Sequence, residues 1–131
     1  MTTETLTPGE TTLAQLERLY RTGSAAKLHP SARPAIEAAA ARIATAAAGD
    51  TAVYGVNTGF GKLASTRIAK DQLAALQLNL IRSHSVGVGA PMAPEVLRLM
   101  LATKAASLAR GFSGVRRVVV ASVHEYAIAA R

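Results

Sequence analysis

The sequence predicts a mainly α fold with at most one or two short strands. Three observations carry that expectation. Apolar residues recur at three- and four-residue spacing through most of the chain, the period of an amphipathic helix. Half of the 131 residues are hydrophobic but only 4% are aromatic, so the core must be built from Ala, Leu, Val and Ile. Gly and Pro fall between the periodic segments or in their first turns, where they act as punctuation.

Taken in order, Leu6-Thr7-Pro8-Gly9 disfavours helix, and the first ten residues read as extended. Thr11 or Thr12 can cap a short helix through Tyr20, with Leu13, Leu16 and Leu19 on one face, stopped by Gly23-Ser24. Lys27 to Pro30 reads as a linker. Ser31 then caps a second helix that holds Pro34 in its first turn, where a missing N–H is tolerated, and that ends at Gly49-Asp50. Thr51 to Tyr54 is a brief extended lead into a glycine-rich stretch. A third helix begins near Ala69 to Asp71, striped by Leu73, Leu76 and Leu80, and breaks at Gly87-Val88-Gly89-Ala90-Pro91. Pro94 and Glu95 open a fourth helix through Ala109, with Leu97, Leu101 and Leu108 as its stripe and Met100 beside them. Gly111 ends it, and Ser113 can cap a fifth helix from Gly114 onward.

Composition narrows the function classes. There is no cysteine, hence no disulfide framework or thiolate zinc site, and His29, His84 and His124 are too scattered for a metal-ligand spacing. No metal is expected. No apolar run reaches the length of a membrane span and the N-terminus has no signal-peptide pattern, so a cytoplasmic protein with no membrane partner is expected. The net charge of +7 lies wholly in residues 61–131, with ten basic and three acidic side chains, against five of each in residues 1–60. Those basic residues are spaced along helices without an aromatic stacking platform, which argues against a nucleic-acid partner and for a solvated face.

The stretch Tyr54-Gly55-Val56-Asn57-Thr58-Gly59-Phe60-Gly61 carries most of the chemistry. Three glycines within seven residues mark positive φ or a close backbone approach. The arrangement serves equally as a tight turn or as a loop presenting a phenol to a ligand. It superficially resembles a phosphate-binding loop, but Gly55 to Gly61-Lys62 is one residue too long and Leu63 stands where a Ser or Thr would hold magnesium.

Together with Leu63-Ala64-Ser65-Thr66-Arg67-Ile68, this stretch resembles the active-site loop of the aromatic amino-acid ammonia-lyases, and within them the histidine ammonia-lyase (histidase) branch. Two further stretches are similar to that family's N-terminal motifs: Leu80-Ile81-Arg82-Ser83-His84-Ser85-Val86-Gly87-Val88-Gly89-Ala90-Pro91 and Arg110-Gly111-Phe112-Ser113-Gly114-Val115-Arg116. The resemblance implies that Tyr54 removes the substrate's β-proton. It implies that His84, Asn57 and Gly61 bind substrate and that Gly55, Thr58, Gly59 and Phe60 form a closing loop. On the residues alone, Tyr54 could equally anchor a turn, since a phenol is a weak base at neutral pH unless its phenolate is stabilised. His84 could equally be a core histidine ending an apolar stripe.

The implied reaction is loss of ammonia from L-histidine to give urocanate, a step of histidine catabolism, with Ser83-His84 favouring histidine as the small-molecule substrate. The implied cofactor is the self-derived methylidene-imidazolone (MIO) group, made from Ala-Ser-Gly, and the implied assembly is a homo-oligomer, a homotetramer. Ala-Ser occurs at 64–65, 106–107 and 121–122, followed by Thr66, Leu108 and Val123, never by Gly. The expectation is therefore an N-terminal fragment: residues 1–117 carry the lyase region, and 118–131 form a divergent C-terminal helix from truncation or frameshift. Such a chain alone should be inactive. The alternatives are a lyase or aminomutase for another aromatic amino acid, and a non-catalytic helical interaction domain.

Overall fold

A computed structural model of the chain describes residues 2–129, with side chains through Glu125. The described residues form β1 (Thr3–Leu6), α1 (Leu13–Thr22), β2 (Ala25–Leu28), α2 (Ala32–Ala48), two single-turn 3-10 helices (Gly61–Leu63 and Lys70–Gln72), α3 (Leu73–His84), α4 (Pro94–Leu108) and α5 (Arg117–Ala129). The mainly α expectation holds, with one two-stranded sheet. The chain divides into two units: residues up to Ala41 together with those from Pro91 onward, and residues Arg42–Ala90.

In the first unit, β1 and β2 pair in parallel, Thr3 opposite Ala25 through Leu6 opposite Leu28. A parallel pair needs a crossover connection, and α1 supplies it. Thr12 caps α1 in a capping box: Gln15 N–H donates to Thr12 Oγ1 at 3.3 Å, and Thr12 N–H donates to Gln15 Oε1 at 2.9 Å. Gly23, at φ 66°, closes the helix in the left-handed conformation. The buried Arg98 of α4 then donates from Nη1 to Leu19 O at 3.3 Å, satisfying a carbonyl in the last turn of α1. Arg18 grips Glu4 through two bonds, Nε to Oε1 at 2.6 Å and Nη2 to Oε2 at 3.0 Å, and this holds the Glu4 carboxyl below its usual range.

Packing is governed by small residues. Leu6, Leu19, Ala26, Ala102 and Ala106 form one apolar cluster. Ala32, Ile36, Leu108, Ala109 and Val120 form a second, with Leu28 against both. The inward face of α4 is thus Ala102, Ala105, Ala106 and Leu108, and alanines there let neighbouring backbones approach closely. Leu97 and Met100, expected in the core stripe, are exposed. The helical period holds, but the buried side lies where the small residues are, because tight packing selects for volume as well as hydrophobicity.

Three other expectations are corrected. Lys27 to Pro30 is not all linker: Lys27 and Leu28 complete β2, since β1 supplies a hydrogen-bonding edge that local sequence cannot reveal. Thr51 to Tyr54 forms no strand and bends into a turn. The fifth helix begins at Arg117 rather than at Gly114, which takes φ 66° and cannot start a right-handed helix. The last two residues of the expected 118–131 segment lie outside the described residues.

Gly111 links α4 to the Phe112–Arg116 segment at φ 75°, and a Cβ there would stand 2.6 Å from Ala35 O. Gly9 has a similar φ of 83° with nothing within 4 Å of a Cβ. Gly111→Ala is expected to destabilise by more than Gly9→Ala, which carries only the backbone strain of about 1–3 kcal/mol. Denaturant midpoints followed by far-UV circular dichroism check the order. Equal shifts would mean the α2 backbone yields to the new methyl.

Candidate active-site loop

The glycine-rich stretch folds around one side chain. Asn57 is 1% exposed, and its carboxamide is fully engaged inside the loop. Nδ2 donates to Thr51 O at 2.9 Å and to Ala46 O, in the last turns of α2, at 3.3 Å. Oδ1 accepts from Val53 N–H at 2.7 Å. Both Nδ2 partners are carbonyls, which accept only, so the amide's orientation is fixed by chemistry. The Asn57 backbone adds two more ties: its N–H donates to Val53 O at 3.2 Å, and its carbonyl accepts from Ile68 N–H at 2.9 Å. One residue therefore pins the end of α2, the turn before Tyr54 and the returning strand-like segment.

The return segment is fixed by a single antiparallel bridge, Thr58 opposite Arg67, with Gly59 N–H donating to Thr66 O at 3.0 Å. Thr58 is also 1% exposed; its hydroxyl donates to Gly59 O at 3.1 Å and accepts from Gly55 N–H at 3.4 Å. Gly59 is needed for space, because a Cβ would stand 2.5 Å from Leu63 Cβ and 2.9 Å from Leu63 O. Gly55 and Gly61 are needed for conformation, at φ 73° and 57°. The glycine cluster thus answers both requirements that glycine can meet.

Against this inward-facing frame, Tyr54 is turned out. It is 63% exposed, and its hydroxyl has no hydrogen-bond partner among the described residues. Its ring meets the edge of Phe60 at a centroid distance of 5.9 Å and an interplanar angle of 73°, an edge-to-face contact that limits where the phenol can point. Gly61 is exposed at the start of a 3-10 turn, with nothing within 4 Å of a Cβ.

The structure brings Tyr54, Gly55, Asn57, Thr58, Gly59, Phe60 and Gly61 together in one loop. It gives Asn57, expected at the substrate, the work of holding that loop, since both of its amide donors and its acceptor already have backbone partners. His84, expected as a pocket residue, ends α3 and is exposed rather than buried as the last residue of an apolar stripe. No hydrogen bond or ring contact joins His84 to the loop among the described residues. No group of three or more His, Asp or Glu that could hold a metal occurs among them, and no helix is long and apolar enough to cross a membrane.

Arg67 is a loop residue that motif reading passed over. Its Nη2 donates to Gly49 O at 3.0 Å and to Asp50 Oδ1 at 2.8 Å, tying the return segment to the end of α2. That hydrogen bond, with the charges of Arg67 and Lys70, holds the Asp50 carboxyl below its usual range. The signal in the sequence was opposite charges flanking the loop.

Two variants probe these ties. Asn57→Ala leaves Thr51 O and Val53 N–H without their side-chain partner, at about 1–3 kcal/mol for each that stays buried, whereas Ala46 O keeps the Gly49 N–H at 3.2 Å. The Val53 amide should then exchange with solvent roughly 30-fold faster or more, and an unchanged rate would mean that water replaces the carboxamide without loss. The Asp50–Arg67 tie, resting on a depressed carboxyl, is fully present above the ordinary carboxylate range and is lost as pH falls through the lowered Asp50 value. The Ile68 amide shift should track that acid transition, and Asp50→Asn should flatten it.

The chain is similar to known proteins over nearly its whole length. The sequence model of the family described as aromatic amino acid lyase matches residues 11–129. A histidine ammonia-lyase from Trypanosoma cruzi is 38% identical, with a TM-score of 0.81 over 97% of this chain and 24% of its own. A tyrosine aminomutase from Streptomyces globisporus is 25% identical, with a TM-score of 0.86 over 95% of this chain and 24% of its own. An ergothionase from Treponema denticola shares the fold, with a TM-score of 0.87 at 21% identity over 96% of this chain and 25% of its own. The chain thus spans about a quarter of the length of these structures. With the glycine loop and its flanking motifs inside a match that runs from residue 11 to 129, the chain belongs to the aromatic amino acid lyase family.

Proposed function

We propose that this chain is the loop-bearing part of a histidine ammonia-lyase, the enzyme that converts L-histidine to urocanate and ammonia. The observation that carries the reading is the outward phenol of Tyr54 on a loop whose other polar side chains are engaged internally. A general base must reach its proton, so an exposed, unpartnered hydroxyl on a rigidly built frame is the suitable geometry. The 38% identity to a histidine ammonia-lyase and the Ser83-His84 pair support histidine over other substrates.

In this reading Tyr54 Oη is the atom that takes a β-proton from the substrate as the C–N bond breaks and the amino group leaves as ammonia, which leaves the double bond of urocanate. His84 orients the imidazole end. Closure over substrate would carry this loop as one piece, its shape held by Asn57 and by the positive φ of Gly55 and Gly61, and would keep water out. When present, the family's MIO group supplies the electrophile that turns the substrate amine into a leaving group. These residues would not be its source, since none of the three Ala-Ser pairs is followed by Gly; the exposed Tyr54 would be the residue that faces it. We place the assembled enzyme in the cytoplasm as a homo-oligomer, with the electrophile and the rest of the pocket coming from sequence outside these 131 residues. On that account the 131-residue chain by itself releases no ammonia.

The second reading, an aminomutase, is favoured by fold similarity to the tyrosine aminomutase, where the TM-score is higher although identity is lower. A graft separates the two. Residues 1–129 replace the matching quarter of the Trypanosoma cruzi enzyme, and products from histidine, tyrosine and phenylalanine are measured. Urocanate from histidine should dominate; a β-amino acid from tyrosine at comparable rate would establish the second reading. In the same graft, Tyr54→Phe keeps the ring and removes the ionisable atom. It should lower kcat by at least ~10²-fold with little change in KM, the low end for losing a general base. A near-normal kcat would leave Tyr54 as a turn anchor.

A further inference from the structure

His84 is exposed, yet its ring is held. Nδ1 lies 2.9 Å from Leu80 O and 3.0 Å from Ser83 Oγ, and Ser83 Oγ lies 3.0 Å from the same Leu80 carbonyl. A carbonyl oxygen only accepts, so Nδ1 at that distance must carry the hydrogen; a lone pair there would face another lone pair. The Ser83 hydroxyl gives its own hydrogen to Leu80 O and receives from Nδ1 on its free lone pair. All three contacts are then satisfied by one proton arrangement. The remaining ring nitrogen, Nε2, has no hydrogen-bond partner among the described residues and holds a lone pair whenever the ring is neutral.

We infer that Leu80 O and Ser83 lock His84 in the Nδ1–H tautomer, so that the site offers an outward hydrogen-bond acceptor. Ser83 is a positioning residue in this arrangement, acting through His84. The inference rests on the proposed role of His84 at the substrate ring and adds its chemistry. An acceptor at Nε2 favours a ring that carries an N–H, as imidazole does. It discriminates against a phenyl ring, which leaves the acceptor desolvated and unpaired. The tautomer is thereby a selectivity element: the opposite one, with Nε2–H outward, would favour an acceptor on the ligand instead.

The test needs no turnover. The 131-residue chain is labelled with nitrogen-15 in histidine, the His84 signals are assigned by their loss in His84→Gln, and the two ring nitrogens are read at a pH where the ring is neutral. The expected result is a protonated Nδ1 and an unprotonated Nε2. Ser83→Ala, at an exposed helical position, removes one of the two acceptors and should shift the ring toward a tautomer mixture. Ser83→Thr restores the hydroxyl and should restore the bias. A protonated Nε2, or an even mixture, in the unaltered chain overturns the inference. An unchanged tautomer in Ser83→Ala removes Ser83 from it. Failure of the substrate reading shows separately, as a graft that does not release ammonia from histidine although the Nδ1–H tautomer is observed.

Discussion

The Asn57 carboxamide is the constraint on which the candidate site depends. A surface loop has few apolar contacts to hold it, so its shape must come from hydrogen bonds. Here a single buried amide closes three of them to backbone, at Thr51, Ala46 and Val53, while the residue's backbone carbonyl accepts from Ile68 N–H. Removing such a group strands any partner that stays covered, and that asymmetry makes a buried polar residue a strong organiser. The consequence for chemistry is indirect. With Asn57 and Thr58 turned in, Tyr54 is turned out, and the edge of Phe60 restricts its ring.

Electrostatics adds a weaker outer layer. Arg67 ties the return segment to Asp50 just past α2, Arg18 of α1 ties to Glu4 of β1, and both pairs lower the carboxyl they engage. Arg18, Arg67 and Asp50 lie largely at the surface, where ion pairs contribute little to stability and are screened by salt, whereas the Glu4 side chain is mostly covered. Their value lies in register: they fix which residue lies opposite which, while Asn57 and the alanine-lined clusters supply the stability. Arg98, buried against the end of α1, belongs with the structural group.

Much of this was legible in the sequence because it is local. The caps at Thr12 and Gly23, the helix started by Pro94 and the glycine demand between Gly55 and Gly61 all come from rules that span a few residues. What was not legible depends on partners far along the chain. The β2 strand forms because β1 lies beside it, and the inner face of α4 is the alanine side because close approach selects small residues there. In the loop, the glycine spacing pointed to a tightly built turn, but spacing alone could not tell an amide that faces a ligand from one that faces its own loop. Asn57 and His84 show this in opposite directions: the first is more buried than expected and the second less.

The central claim is that Asn57 serves the reaction only by holding Tyr54 in place. The most direct measurement is a double-mutant comparison of kcat in the grafted enzyme, with Asn57→Ala, Tyr54→Phe and both together. Groups that act as one unit are strongly non-additive, so once the phenol is gone the carboxamide should have nothing left to position. The account requires the double variant to be about as slow as Tyr54→Phe alone. Losses that multiply, with the double variant slower by the product of the two single effects, would show that Asn57 contributes to turnover independently and would contradict it.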